Sequence, residues 1–102
     1  PRIVIINGIT ANIPASHMTA GSASRAAVKQ VAYMLAQALA TEICVNTINL
    51  GAIDTDRQLA RYKKSQSLLS FKAWKEEEAK RRGIPFGRLG RAEHLLEIIR
   101  RT

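Results

Sequence analysis

At 102 residues the chain has room for one domain, and a compact chain of that length buries about 60–70 % of its unfolded surface. With 46 % hydrophobic and 24 % charged residues it has a globular composition, and no apolar run approaches the ~20 residues of a membrane span, nor does the chain open on a signal-peptide pattern. The net charge is +8, and the single cysteine, Cys44, excludes an internal disulfide and fits a reducing, cytoplasmic setting.

The charge is unevenly spread. Through Asp56, Arg2, Arg25 and Lys29 balance Glu42, Asp54 and Asp56. The whole excess lies beyond, in clusters such as Arg61-Tyr62-Lys63-Lys64 and Lys80-Arg81-Arg82. Such asymmetry fits an anionic partner, nucleic acid or a membrane surface; a solvated helical segment offset by Glu76, Glu77 and Glu78 is the plainer reading.

In chain order, Arg2-Ile3-Val4-Ile5-Ile6 reads as a strand whose continuous apolar run asks for burial on both faces, as in a parallel sheet covered by helices. Asn7-Gly8 ends it, and Ile9 to Thr19, with Pro14, reads as a loop. A helix follows from Ser22 or Ser24, either of which can cap it, to about Ala38. Ala26, Ala27, Val31, Met34, Leu35, Ala38 and Leu39 form its apolar stripe, and the alanines suit a packed interface as well as a core. After a very short connection, Ala40 to Glu42, a second strand runs from Ile43 to Ile48, which completes a right-handed βαβ unit. Asn49 to Thr55 is read as a loop, with Thr55 or Asp56 capping the helical segment after it. Arg57 to Arg82 predicts two helices broken near Ser65 to Ser70, with Leu59, Tyr62, Leu68, Leu69, Phe71 and Trp74 as their apolar side. Gly83 to Gly90 is a turn-rich link, and Arg91 to Arg101 a closing helix with Leu95, Leu96, Ile98 and Ile99 inward.

Four stretches then stand in a telling order: Arg2 to Gly8; Gly21-Ser22-Ala23-Ser24-Arg25-Ala26-Ala27-Val28; Val45 to Thr55; and Ile84-Pro85-Phe86-Gly87-Arg88-Leu89-Gly90. Together they resemble the C-terminal half of a short-chain dehydrogenase/reductase, a family of NAD(P)-dependent oxidoreductases. The resemblance implies an α/β fold: a partial Rossmann-type parallel sheet, a βαβ unit plus C-terminal helices, lacking the family's N-terminal nucleotide-binding half and its last strand. One partial domain is expected, with residues 1–56 as βαβ unit and cofactor-side loop, 57–90 as a helical substrate-cap-like segment and 91–102 as the C-terminal helix. The brief connection before Ile43 looks like a deletion.

Carried over residue by residue, the resemblance places Gly8 where the family has its catalytic serine, Gly21 where it has tyrosine and Arg25 where it has lysine. The family's chemistry needs a phenol to exchange a proton with the substrate oxygen, a cation to tune it and a hydroxyl to hold the same oxygen. Glycine supplies neither hydroxyl nor phenol. Arg25 keeps a charge able to bond a ribose hydroxyl, though a plain first-turn surface arginine is an equal reading. Tyr33 lies twelve residues along the same helix from position 21, roughly 18 Å away, and Tyr62 has no lysine four residues on. Gly51, Ile53 and Thr55 are implied to lie against the nicotinamide, with Leu50 where the family usually has proline; a simple strand-end turn is the alternative. The Gly-rich turn that grips a pyrophosphate does not occur in this sequence.

The chain is therefore expected to be catalytically inactive as written. NAD(P) is implied as the family's cofactor, with too little of its site here to hold it alone. No metal-ligand set is evident: His17 sits in a loop, His94 on a helix, and Ser16-His17 has no third partner. Expected partners are a second copy or the missing part of a longer chain, with no membrane contact and nucleic acid disfavoured. Two other functions stay open. One is a non-catalytic oligomerisation module built on the Ser22–Ala38 helix. The other is a basic anion or nucleic-acid binder working through residues 61–82.

Overall fold

A computed structural model describes residues 1–102, which divide into two compact units, Pro1–Gly51 with Ile99–Thr102, and Ala52–Ile98. The first is built on two parallel strands, β1 (Arg2–Gly8) and β2 (Cys44–Leu50), joined by the long helix α1 (Thr19–Ala38). The strands pair over their full length, from Arg2 opposite Cys44 to Gly8 opposite Leu50. Both run farther than their apolar stretches, because the ladder carries Asn7-Gly8 and Asn49-Leu50 into strand geometry. The isoleucines ask for more cover than they receive: Ile3 and Ile6, on opposite faces of β1, are both more than a third exposed.

The segment between β1 and α1 holds two 3-10 turns, Ile9–Ala11 and Ser16–Met18. The second runs straight into α1, so the helix starts at Thr19, three residues before the expected cap. Neither serine caps it. Ser24 Oγ donates to Ala20 O at 2.8 Å within the helix, the back-bonding open to a mid-helix hydroxyl. Ser22 is buried and faces the loop instead: its Oγ accepts from Ala15 N at 3.1 Å.

The apolar stripe of α1 is also turned from its expected direction. Ser22 and Ala32 are buried and Ala26, Ala36 and Leu39 half-buried, whereas Ala27, Val31, Met34, Leu35 and Ala38 are exposed. Small residues form the covered side because they let a helix approach its neighbours closely; the larger apolar side chains are left outside. The helix ends at Ala38, and Leu39 N and Ile43 N bond Leu35 O and Leu39 O to turn the chain into β2.

The second unit contains β3 (Ile53–Asp54), α2 (Asp56–Ser65), α3 (Phe71–Arg81), β4 (Gly90–Arg91) and the body of α4 (Ala92–Arg101). The two helices break where expected. Gln66 closes α2 in the left-handed conformation, φ 54°, and Ser70 caps α3 by accepting from Ala73 N at 3.2 Å. Tyr62, Phe71 and Trp74 form a ring cluster with centroids 5.1 to 6.2 Å apart. Leu68 and Leu69, expected on that apolar side, are exposed, because the turn between the helices points them outward. β3, expected as loop, and β4, which takes Gly90 from the expected link and Arg91 from the expected start of the closing helix, pair in parallel over two residues. The approach depends on Gly90, where a Cβ would stand 2.9 Å from Ile53 Cδ1. On α4, Leu95 and Ile99 are half-buried but Leu96 and Ile98 are exposed, so only part of its expected inner face is covered.

Candidate functional site

The first unit gathers its polar chemistry at the end of β1. Asn7 is the one polar side chain within that apolar strand after Arg2, and it is 2 % exposed. Its Nδ2 donates to Arg25 O at 3.0 Å, and its Oδ1 accepts from Arg25 Nη1 at 3.4 Å. One carboxamide thus straps the end of β1 to α1. Arg25 then lies across the neighbouring residue: a Cβ on Gly8 would sit 2.8 Å from Arg25 Cδ and 2.9 Å from its Nε.

Two of the sequence-predicted site residues, Gly8 and Arg25, are therefore in contact. Gly21 precedes Arg25 by one turn on α1; a Cβ there would meet only Met18 Cε, at 3.9 Å. One turn after Arg25, Lys29 donates to Asn12 Oδ1 at 2.5 Å. Neither Arg25 nor Lys29 has a carboxylate partner; each is held by an asparagine. The strap at Asn7 and the Ser22–Ala15 bond escape sequence reading, since the partners lie 18 and 7 residues apart; the only signal is a carboxamide ending an apolar strand.

Beside these residues a mostly apolar cleft of about 450 Å³ runs between the 9–19 segment and α1, with Thr10, Ala11, Pro14, Ala15, Thr19 and Ala26 among its walls. His17 is exposed in the turn at its edge, and His94 is exposed on α4. Tyr33 is exposed, its Oη accepting from Gln37 Nε2 at 3.5 Å. Tyr62 belongs to the ring cluster and donates to Leu69 O at 2.6 Å. No three His, Cys, Asp or Glu side chains come together in a ligand set.

The cofactor-side residues fall in different units. Gly51 follows β2 in the first, where an added Cβ would meet nothing within 4 Å. In the second, Ile53 is half-buried in β3, and Thr55 holds the N-cap position of α2 with its hydroxyl making no cap bond.

The basic tract of the second unit is partly spent on internal pairing. Glu78, buried on α3, receives Arg81 Nη2 at 2.8 Å, Arg82 Nε at 3.2 Å and Arg61 Nη1 at 3.4 Å. The hydrogen bond from Arg81 holds its carboxyl below the usual glutamate range; burial opposes this, and Arg82 and Arg61 reinforce it. Arg61 also lies over the Trp74 ring at 5.7 Å, and Lys75 joins Asp54 at 2.9 Å. These contacts tie α2, α3 and β3 together and account for Arg61, Arg81, Arg82 and Lys75.

The sequence model of the family described as short chain dehydrogenase matches residues 1–66. The chain belongs to that family. Among solved structures it is similar to the NADPH-bound form of a short chain oxidoreductase from Pseudomonas aeruginosa PAO1 with an atypical catalytic center. That match has 32 % identity and a TM-score of 0.77, over 88 % of this chain and 34 % of that one. The apo form of the same description matches at 30 % identity and TM-score 0.75, over 88 % and 35 %. A short chain dehydrogenase family protein from Francisella tularensis subsp. tularensis SCHU S4 matches at 28 % and 0.79, over 96 % and 41 %. No curated protein matches. The chain thus spans between a third and about two fifths of the length of the structures it resembles. The α/β architecture expected from the sequence, a partial Rossmann-type arrangement of short parallel strands and helices, is that of this family. No helix is long and apolar enough to cross a membrane.

Proposed function

We propose that this short-chain dehydrogenase chain corresponds to the C-terminal segment of an NAD(P)-dependent oxidoreductase and is catalytically inactive as written. The observation that carries the reading is the contact between Gly8 and Arg25. If Gly8 stands at the serine position and Arg25 at the lysine position, the space for a serine side chain is taken by the arginine. Position 21 offers no phenol at all. A guanidinium can hydrogen-bond a ribose or carbonyl oxygen, but no group beside it can pass the substrate a proton at the tyrosine position. The Pseudomonas protein binds NADPH and contains an atypical catalytic center, so NADPH is the first cofactor to assay. The family's activity, hydride transfer between NAD(P) and a carbonyl or alcohol, is in this reading ancestral. The purified chain should give no NADPH or NADH turnover with a panel of aldehydes, ketones and alcohols, and binding of either nucleotide should be weak.

A second reading, self-association through α1, is favoured by Val31 and Met34, which are 50 % and 57 % exposed beside exposed Ala27 and Ala38. A helix surface of this kind suits a second copy or another segment of a longer chain. Ala23→Arg and Ala27→Arg should shift sedimentation to the monomer; unchanged association would exclude this face. Binding of nucleic acid through residues 61–82 is the weaker alternative, because three of its arginines are engaged by Glu78. Salt-sensitive binding to duplex DNA or RNA would revive it.

A further inference from the structure

The turn between α2 and α3 presents an apolar tip to water. Leu68 is fully exposed, at 103 %, and Leu69 is 44 % exposed. Exposing a leucine on an ordered turn forgoes the burial that usually stabilises such a side chain. The turn is held by several local bonds. Tyr62 Oη donates to Leu69 O at 2.6 Å, Ser65 Oγ to Tyr62 O at 2.6 Å, and Ser67 Oγ accepts from Leu69 N at 3.2 Å. Ser70 caps the next helix from the other side. The leucines are displayed by a built turn.

The charge flanking that tip in the sequence is of one sign. From Arg57 to Lys75 the chain has no Asp or Glu, and it carries Arg57, Arg61, Lys63, Lys64, Lys72 and Lys75. Arg61 and Lys75 are paired with Glu78 and Asp54. Lys63, Lys64 and Lys72, which flank the turn, are exposed and have no carboxylate partner. The helix dipole accounts for Lys63 and Lys64 in the last turn of α2. It does not account for Lys72, which stands in the first turn of α3, where a cation is disfavoured and no acidic residue accompanies it.

We propose that the α2–α3 turn is a peripheral membrane contact, with Leu68 and Leu69 entering the interface of an anionic bilayer and Lys63, Lys64 and Lys72 lying against its phosphate and carboxylate headgroups. An apolar tip flanked by unpaired cations on both sides fits such a surface, since each lysine adds attraction and the leucines add burial. Nucleic acid would use the cations and leave the leucines in water. This contact replaces the expectation of no membrane contact: the lack of a spanning helix says nothing of a turn that rests on the surface.

The test is co-sedimentation of the 102-residue chain with phosphatidylcholine vesicles, with and without phosphatidylserine, beside a vesicle-free control. Binding is expected only to the anionic vesicles, falling with salt. Leu68→Ser with Leu69→Ser should lower it about tenfold or more, and Lys63→Glu with Lys64→Glu should abolish it. Because Leu68 is fully exposed, the serine variant should keep the fold, checked by near-ultraviolet circular dichroism. Equal binding by the serine variant would overturn the proposal, as would binding to RNA with none to vesicles. Leucine-dependent pelleting without lipid would also overturn it and identify a second copy as the occupant.

Discussion

Arg25 lies across Gly8, so that a Cβ at position 8 would stand 2.8 Å from the arginine Cδ. A change at one of these residues is therefore felt at the other. Gly8→Ala should displace Arg25 and weaken its bond to Asn7, and because the displaced atoms are the far end of a flexible side chain the cost is modest. A double-mutant cycle of Gly8→Ala with Arg25→Ala, read by denaturant unfolding, should return a coupling energy of about 0.5–1 kcal/mol. Additive effects would mean that the contact does not operate in solution.

Asn7 makes a sharper prediction. It is almost fully buried, and its carboxamide bonds both the backbone and the guanidinium of Arg25. Asn7→Ala removes both bonds and should lower stability by about 1–2 kcal/mol, with faster amide exchange in the first turns of α1. A neutral outcome would remove Asn7 as the strap between β1 and α1.

Glu78 sets an acid limit on the second unit. Its folded pKa lies below the ordinary glutamate value, chiefly through the Arg81 hydrogen bond, with burial opposing and Arg82 and Arg61 adding to it. A depressed carboxyl pKa contributes stability that is fully present above the unfolded value, about 4.3, and is lost as pH falls through the folded value. Glu78→Gln should flatten that acid limb and lower stability at neutral pH by about 1–2 kcal/mol, the arginines being partly exposed. An unaltered acid limb in thermal unfolding from about pH 7 to about pH 3 would assign the loss to other carboxylates.

Local signals make the βαβ order, the two-helix break at Ser65–Ser70 and the closing helix legible. The apolar run at Ile3–Ile6, the Ser70 cap and the charge pattern of 71–82 act within a few residues of chain. The features that escape depend on partners distant in sequence. The strand ends follow the ladder between β1 and β2. The helix start follows a 3-10 turn with no sequence marker, and β3 and β4 are too short to leave a period. The covered side of α1 is misread from sequence because alanine and serine pack closest, while hydropathy favours valine and methionine. At the site, the sequence points to Gly8 and Arg25, but not to Asn7, which joins them.

The proposed inactivity rests on the Gly8, Gly21 and Arg25 arrangement. The most direct measurement is NADPH and NADH oxidation by the purified chain, followed by nicotinamide absorbance with a panel of aldehydes and ketones, beside the Arg25→Ala variant. Rates equal to the buffer blank for both proteins are expected. Carbonyl-dependent turnover by the native chain that disappears in Arg25→Ala would contradict the claim and make Arg25 a catalytic residue.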